Sequence, residues 1–240
     1  ADNGFKARNN VSDNSSAQGT VLSSKTSSAA ELMARAGIIS AETVSELNVS
    51  VTKADFAEII ARYAAKDGNY SYSGNAGFQD VTRDTPNAGY IEQMTELGYF
   101  ERVSFYHPND YINGIDALKA VMNVLGYGMI LKSDNDYLNK ASSLGITKSV
   151  SVSQDPISKG DIIRLFENSL TANVVTVSAE NGSISLKEGE TFLESYHNII
   201  LLKGIMNGNF ITSYNTSIKP RKNMILIDSM EFEVDDDLYY

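Results

Sequence analysis

The feature that most constrains this chain is a repeated spacing between a glycine and a helix-start signal. In three places a Gly followed by a hydrophobic residue precedes a small polar residue, two spacers and an Asp. The glycine and the polar residue are fifteen positions apart in two copies and thirteen apart in the third: Gly37 to Thr52, Gly98 to Asn113, and Gly145 to Ser158. Such a repeat predicts copies of one supersecondary unit packed together, which favours a binding or anchoring array over an enzyme with one pocket.

The polar residue of each copy is suited to cap a helix, because its side-chain oxygen can accept hydrogen bonds from the free amides of the first turn. The Asp three positions later suits the positive end of the helix and can reach back to the cap amide. These pairs are Thr52 with Asp55, Asn113 with Asp116, and Ser158 with Asp161. The preceding glycines predict left-handed helix stops. One unit is therefore a helix, a glycine stop, an extended link and a capped helix.

Two kinds of apolar spacing divide the chain. After the first cap, apolar residues recur at helical spacing, as in Phe56, Ile59, Ile60 and Tyr63, and similar stripes follow the other two caps. Beyond residue 171 the apolar residues occur in short β-branched runs that predict strands. These runs are 174–177, 184–186, 211–214, 224–227 and an alternating edge at 231–234, with a strand-like run from 192 to 202 and a turn at Asn207-Gly208.

The predicted fold class is mainly α in the first part, followed by a small β-rich domain, and thus mixed α and β overall. Residues 1–28 are predicted to be a flexible arm, because their polar composition cannot bury enough surface to offset the entropy of ordering. The predicted domains are three helix-loop-helix repeats over 29–170 (29–77, 78–134 and 135–170) and a β-rich module over 171–240.

The charge and the cysteine count exclude several functions. The 240-residue chain has a formal net charge of −10 and a pI near 4.7, which disfavours binding to nucleic acid or to an anionic membrane surface. It contains no Cys, so disulfides and thiolate metal sites are excluded. No apolar run approaches the roughly 20 residues of a membrane span, so direct membrane insertion is not expected. The start at Ala1, without Met, suits a mature exported protein or an excised fragment.

The repeats resemble S-layer homology (SLH) domains, the cell-wall anchoring modules of bacterial surface proteins, here of a clostridial type. The family pattern opens with Phe-x-Asp-Val, continues through an aromatic residue, a helix and Gly-Ile-Ile, and ends with Ile-Thr-Arg-Ala-Glu-Phe. The resemblance covers roughly residues 29–170. The matching segments are Gly37-Ile38-Ile39 with Val51-Thr52-Lys53-Ala54-Asp55-Phe56, Phe78-Gln79-Asp80-Val81 with Tyr90, and Gly145-Ile146 with Ile157-Ser158-Lys159-Gly160-Asp161.

The resemblance implies three units in a pseudo-threefold arrangement, with grooves between them that bind an anionic secondary cell-wall polysaccharide. The basic residue of the family motif corresponds to Lys53 in the first unit and Lys159 in the third, whereas the second unit has Gly114 and loses its cation. Tyr90 takes the place of the family's usual Trp and can stack on a sugar. Asp80 can shape a groove or cap a loop.

No catalytic, metal or cofactor site is predicted. Neither His107 nor His197 has metal-ligand spacing, and no nucleophilic triad accompanies them. The expected protein is therefore a non-enzymatic, extracellular anchor in the bacterial cell wall or surface layer. The alternative is a structural subunit of a surface layer or filament, in which the repeats serve self-assembly or docking and no longer bind sugar.

Overall fold

The computed structural model describes residues 29–66, 68–177, 183–201, 204–209, 211, 220–228 and 230–234. The predicted N-terminal arm at 1–28 lies outside these residues. The chain forms two compact units with the boundary after Asn198. The predicted mixture of helices and β structure is confirmed.

Seven α-helices lie in the described part of the first unit. They are α1 (29–35), α2 (Lys53–Tyr63), α3 (Ala88–Glu96), α4 (Gly114–Val124), α5 (Asp134–Ser143), α6 (Lys159–Ser169) and α7 (Phe192–His197). Two short 3-10 helices cover Ala41–Val44 and Tyr127–Met129. A two-stranded antiparallel sheet joins β1 (Asn173–Val177) to β2 (Ile184–Thr191). None of the helices within the described residues is long and apolar enough to cross a membrane.

The predicted helix starts and stops are confirmed. The Thr52, Asn113 and Ser158 side chains accept hydrogen bonds from the amides three residues later, at 3.1, 2.7 and 3.1 Å. In each pair the Asp carboxylate accepts a hydrogen bond from the cap side chain, at 2.8–3.0 Å. The three stop glycines have φ between 71° and 78°, and the amide after each one bonds to the carbonyl five residues earlier, at 2.9 Å.

The extended links between the helices pair with one another in a closed ring. We define link 1 as residues 47–52, link 2 as 108–113 and link 3 as 153–158. Isolated antiparallel bridges join every pair of links: Thr52 to Tyr111, Asn113 to Pro156, and Ser50 to Ser158.

Each capped helix begins beside a link that leads into a different capped helix. The first two amides of α2 donate to carbonyls in link 2, those of α4 donate to link 3, and those of α6 donate to link 1, all between 2.7 and 3.1 Å. These amides have no partner within their own helix, so each link satisfies donors that would otherwise be unpaired. The three helix N-termini are thereby brought together around one set of links.

The opposite ends of the three helices are closed by helix α7. The Tyr196 hydroxyl donates to the Val124 carbonyl (2.7 Å), and the His197 ring nitrogen Nε2 lies 2.9 Å from the Tyr63 carbonyl oxygen. The Leu193 amide donates to the Leu170 carbonyl at 3.1 Å. Helix α7 therefore belongs to the compact helical unit, whereas the sequence predicts a separate module from residue 171.

An aromatic stack fills the interior beneath this closure. The buried Tyr63 ring lies 4.1 Å from the Phe166 ring and 4.4 Å from the Phe192 ring, and Phe192 continues to Tyr196 at 4.8 Å. The strand-like interpretation of 192–197 is wrong, because Thr191 and Glu194 form a capping box that starts a helix here. Phe192 and Tyr196, four positions apart, thus lie on the same face of α7.

The second unit, which begins at Ile199, contains a three-stranded antiparallel sheet in the order β3 (Met206–Asn209), β4 (Met224–Ile227), β5 (Met230–Glu233). The predicted strands at 224–227 and 231–234 agree with β4 and β5, whereas most of 211–214 lies outside the described residues. Asn207-Gly208 is not a turn. It lies within β3, where the register of the pairing with β4 shifts between Met206 and Gly208.

Candidate functional site

A cleft of about 730 Å3 lies beside the start of α2. We call it the Lys53 cleft. Its walls come from the start of α2, the segment 97–106, helix α4 and the segment 126–137. Five aromatic residues line it: Tyr99, Phe100, Phe105, Tyr106 and Tyr137. Its volume is within the range of about 300–1,000 Å3 that is common for small-ligand sites.

Lys53 is one of three lysines that line this cleft, with Lys119 and Lys132. Its side chain is half-buried at the first position of α2, and its ammonium has no hydrogen-bond or ion-pair partner among the described residues. By contrast, the Lys119 ammonium pairs with Asp134 at 2.5 Å, and the Lys132 ammonium donates to the Met129 carbonyl at 3.3 Å. Burial alone would lower the pKa of Lys119, but the hydrogen bond and the charge of Asp134 raise it.

Asp80 supports the wall of the cleft without lining it. Its carboxylate accepts hydrogen bonds from the Tyr106 amide (2.8 Å) and the His107 amide (2.7 Å), and the Tyr106 hydroxyl in turn donates to the Lys53 carbonyl at 3.0 Å. Burial alone would raise the pKa of Asp80, but these amide bonds, a backbone hydrogen bond of Asp80 itself and the nearby His107 together outweigh it, and the pKa lies below its ordinary value. Asp80 remains a predicted site residue, and its position connects it to Lys53 through Tyr106.

The position equivalent to Lys53 at the start of α4, Gly114, has no room for a side chain. A Cβ on Gly114 would lie 2.9 Å from the Ser153 amide nitrogen and 3.1 Å from the Ser153 carbonyl oxygen. Because both contacts are to backbone atoms of link 3, a side chain here requires that the link move. The missing cation at residue 114 is therefore a consequence of the close approach of this link.

The lysine at the corresponding position of α6, Lys159, already donates a hydrogen bond to the backbone. The half-buried Lys159 lies at the first position of α6, and its ammonium donates to the Ser45 carbonyl at 3.1 Å. The first positions of α2, α4 and α6 therefore differ. Lys53 has no side-chain partner among the described residues, Gly114 has no room for a side chain, and Lys159 is bonded to the backbone. The sequence predicts ligand contact for both Lys53 and Lys159, but in the structure the Lys159 ammonium is bonded to the Ser45 carbonyl.

Tyr90 lies away from the Lys53 cleft. It lines a second pocket, of about 580 Å3, together with residues from 70–72 and 83–89. Its ring meets the Tyr70 ring edge-on at a centroid distance of 5.4 Å. The structure therefore does not bring the four predicted site residues into one place: Lys53 and Asp80 belong to one neighbourhood, and Tyr90 and Lys159 to two others.

Sequence reasoning missed the aromatic wall of the Lys53 cleft. Tyr99, Phe100, Phe105 and Tyr106 fall within eight residues of a segment that has no helical or alternating spacing. Aromatic residues concentrated outside the periodic elements were a usable signal, because such residues are not needed for a helix stripe. Phe105 is 49% exposed in the structure.

No family model and no curated protein matches this chain. Among the described residues there is also no group of three or more His, Asp or Glu side chains that could hold a metal ion. What the site can do therefore depends on its geometry: a concave aromatic surface with one half-buried cation that is available to an anionic ligand.

Proposed function

We propose that this protein anchors itself to the bacterial cell wall by binding an anionic wall polysaccharide in the Lys53 cleft. The observation that carries the proposal is that the half-buried Lys53 lines an aromatic cleft and that its ammonium has no partner within the described chain. A lysine at the first turn of a helix is placed against the preference of the helix dipole. An anionic ligand that pairs with Lys53 would offset this cost.

The proposal includes a pseudo-threefold arrangement of three SLH-like repeats. It is supported by the closed ring of bridges among the three links and by the equivalent hydrogen bonds from the first two amides of α2, α4 and α6. The equivalent caps at Thr52, Asn113 and Ser158 support it as well. In this arrangement the Lys53 cleft is the groove between the first and second repeats.

In the proposed complex, an acidic substituent of the sugar pairs with the Lys53 ammonium, and the sugar ring packs on the aromatic wall. Lysine offers a point charge without the planar fork of arginine, so the wall must supply orientation. Tyr106 in this wall is held by two hydrogen bonds: its amide donates to the Asp80 carboxylate, and its hydroxyl donates to the Lys53 carbonyl. Binding should weaken as salt screens the charge.

The test is co-sedimentation of the purified chain with bacterial wall sacculi. Lys53→Ala should remove most of the pelleted protein, whereas Lys159→Ala is the matched control, because that lysine occupies the same helix position but is bonded to Ser45. The double variant should pellet as poorly as Lys53→Ala alone, and added salt should release the wild-type chain. Undiminished pelleting of folded Lys53→Ala would contradict the proposal.

A second candidate is a structural subunit whose repeats serve self-assembly. The closed position at Gly114 and the bonded Lys159 favour it, because two of the three equivalent positions then offer no cation to a sugar. Light scattering across protein concentration separates the two candidates. Ordered polymers that form without walls support assembly, and a monomer that pellets with walls supports anchoring.

A further inference from the structure

The three-stranded sheet of the second unit has one apolar face. Directly paired residues of neighbouring strands lie on the same face of a sheet, as do residues two positions apart along one strand. Met206 pairs with Ile227, Ile227 pairs with Met230, and Ile225 pairs with Phe232. These five side chains therefore lie together, and none of them is charged. We call them the apolar sheet face.

The opposite face carries the acidic residues of this sheet. Glu231 pairs with Leu226 and Glu233 pairs with Met224, so both carboxylates lie on that side. Leu226 is 5% exposed, and it is the only buried Ile, Leu, Met, Phe or Val among the described residues of the second unit. The side of the sheet that the chain itself buries most deeply is therefore the one with the charges.

The apolar sheet face is open to solvent in the single chain. Met206 is 50% exposed and Met230 is 58% exposed, while Ile225, Ile227 and Phe232 are half-buried. A three-stranded sheet depends on a packed apolar face for its stability, and a unit as short as Ile199–Tyr240 can form only a small core of its own. An exposed apolar surface in such a unit indicates an interaction site.

The absence of charge on this face favours a second copy of the same chain as the partner. In a twofold contact every group lies near its own symmetry mate, so a charged face would repel itself. The net charge of −10 opposes contact through most other surfaces of two copies. Two apolar sheet faces can pack as stacked sheets about 10 Å apart, and the flexible methionines can fill irregular gaps between them.

The size of the face determines how strong this contact can be. Five side chains that are about half-exposed offer roughly 400 Å2 per copy, which is about half of the ~800 Å2 per partner that a stable interface buries. We therefore expect an association that depends on protein concentration and reverses on dilution.

We propose that two chains associate through the apolar sheet faces of their second units and form a twofold dimer. Because the same surface is used on both copies, the contact closes at two chains and does not by itself produce filaments. The proposal is independent of wall binding, since it concerns residues of the second unit and needs no sugar.

The first experiment is sedimentation equilibrium of the full chain from about 10 μM to 1 mM, the range expected for a contact of this size. The mean mass should rise from that of one chain towards that of two. Met230→Glu and Met206→Glu should each weaken dimerisation by about tenfold or more, because each places two carboxylates in an apolar contact. Leu32→Glu is the matched control: it adds the same charge at a 64% exposed apolar residue of α1 and should dimerise like the wild-type chain.

A second experiment locates the contact by cross-linking, which is straightforward because the chain has no cysteine of its own. A bismaleimide should join two Met230→Cys chains, and the yield should fall on dilution, whereas Leu32→Cys chains should not be joined. The proposal is overturned if the wild-type chain is a monomer at about 1 mM, or if both folded glutamate variants of the sheet dimerise as tightly as the wild-type chain. It is also overturned if the Met230→Cys thiol resists a small maleimide in the monomer, since the chain itself would then cover the face.

Discussion

The two ends of the helical unit are built on different principles. At the N-terminal ends of α2, α4 and α6, three links with related sequences make equivalent bridges and equivalent hydrogen bonds. At the C-terminal ends, one unrepeated element, helix α7, contacts the helix carbonyls through a different group at each helix: a ring nitrogen of His197, the hydroxyl of Tyr196 and the amide of Leu193.

The contrast separates what repetition can do from what it cannot. Repeated links can cap one another because each helix start needs the same two acceptors. The other end of a three-helix arrangement leaves an apolar surface and unpaired carbonyls, and a single covering element is enough to close it. The Lys53 cleft extends from the start of α2 along α4 to the segment 126–137 that follows α4, so it is not confined to the repeated end.

Removing the aromatic stack should have the largest effect on stability. Phe192→Ala is expected to lower the free energy of unfolding of the first unit by about 3–5 kcal/mol, because it leaves a cavity between Tyr63 and Tyr196. Urea unfolding monitored by helical circular dichroism measures it. The exposed Phe105→Ala is the control and should change stability by less than about 1 kcal/mol. If 171–240 were a separate module, Phe192→Ala would leave the helices unaffected.

The repeated end should depend on pH through Asp80. Because its pKa is lowered in the folded state, the stabilisation by Asp80 is present above the unfolded pKa of about 3.9 and is lost as the pH falls through the folded value. Asp80→Asn should cost about 2–3 kcal/mol at pH 6, for two amide bonds to a charged acceptor, and less at pH 3. Urea unfolding at both pH values measures this, and an equal loss at both would contradict it.

The asymmetry within the ring can be tested at the first position of each helix. Gly114→Ala should destabilise the unit by about 1–2 kcal/mol, because the added Cβ meets the backbone of Ser153. Lys53→Ala, at the equivalent position, should change stability by less than about 0.5 kcal/mol. Thermal unfolding of the two variants gives the comparison. A stabilising Gly114→Ala would show that link 3 moves aside and that the second position is not closed.

Among the variants expected to be destabilised, those that remove a helix cap should lose the least stability. Thr52→Ala and Ser158→Ala should each cost about 1 kcal/mol, and the two losses should be similar because their hydrogen bonds are the same length. Urea unfolding measures both. Clearly unequal losses would indicate that the two helix starts are not energetically equivalent, in spite of the matching geometry.

Local signals predicted the repeated end of the unit well. Thr52, Asn113 and Ser158 start helices, and the glycines before the links stop them, because capping and left-handed φ depend on residues within one turn. The strand-like interpretation of 192–197 failed because the Thr191-Glu194 capping box starts a helix here. The β-branched residues of the apolar run, Ile199 and Ile200, lie after this helix. The boundary near residue 171 is a prediction that follows composition, whereas the compact unit extends to Asn198.

The sequence alone determined where α2, α4 and α6 begin and that the same stop and cap signals recur three times, since these properties are encoded in short segments. Only the tertiary structure decided which equivalent residues differ in their surroundings. Lys53, Gly114 and Lys159 occupy the same local position, but a cleft, the backbone of link 3 and the Ser45 carbonyl lie beside them. The physical reason is that each of these neighbours comes from a distant part of the chain, so no local pattern specifies it.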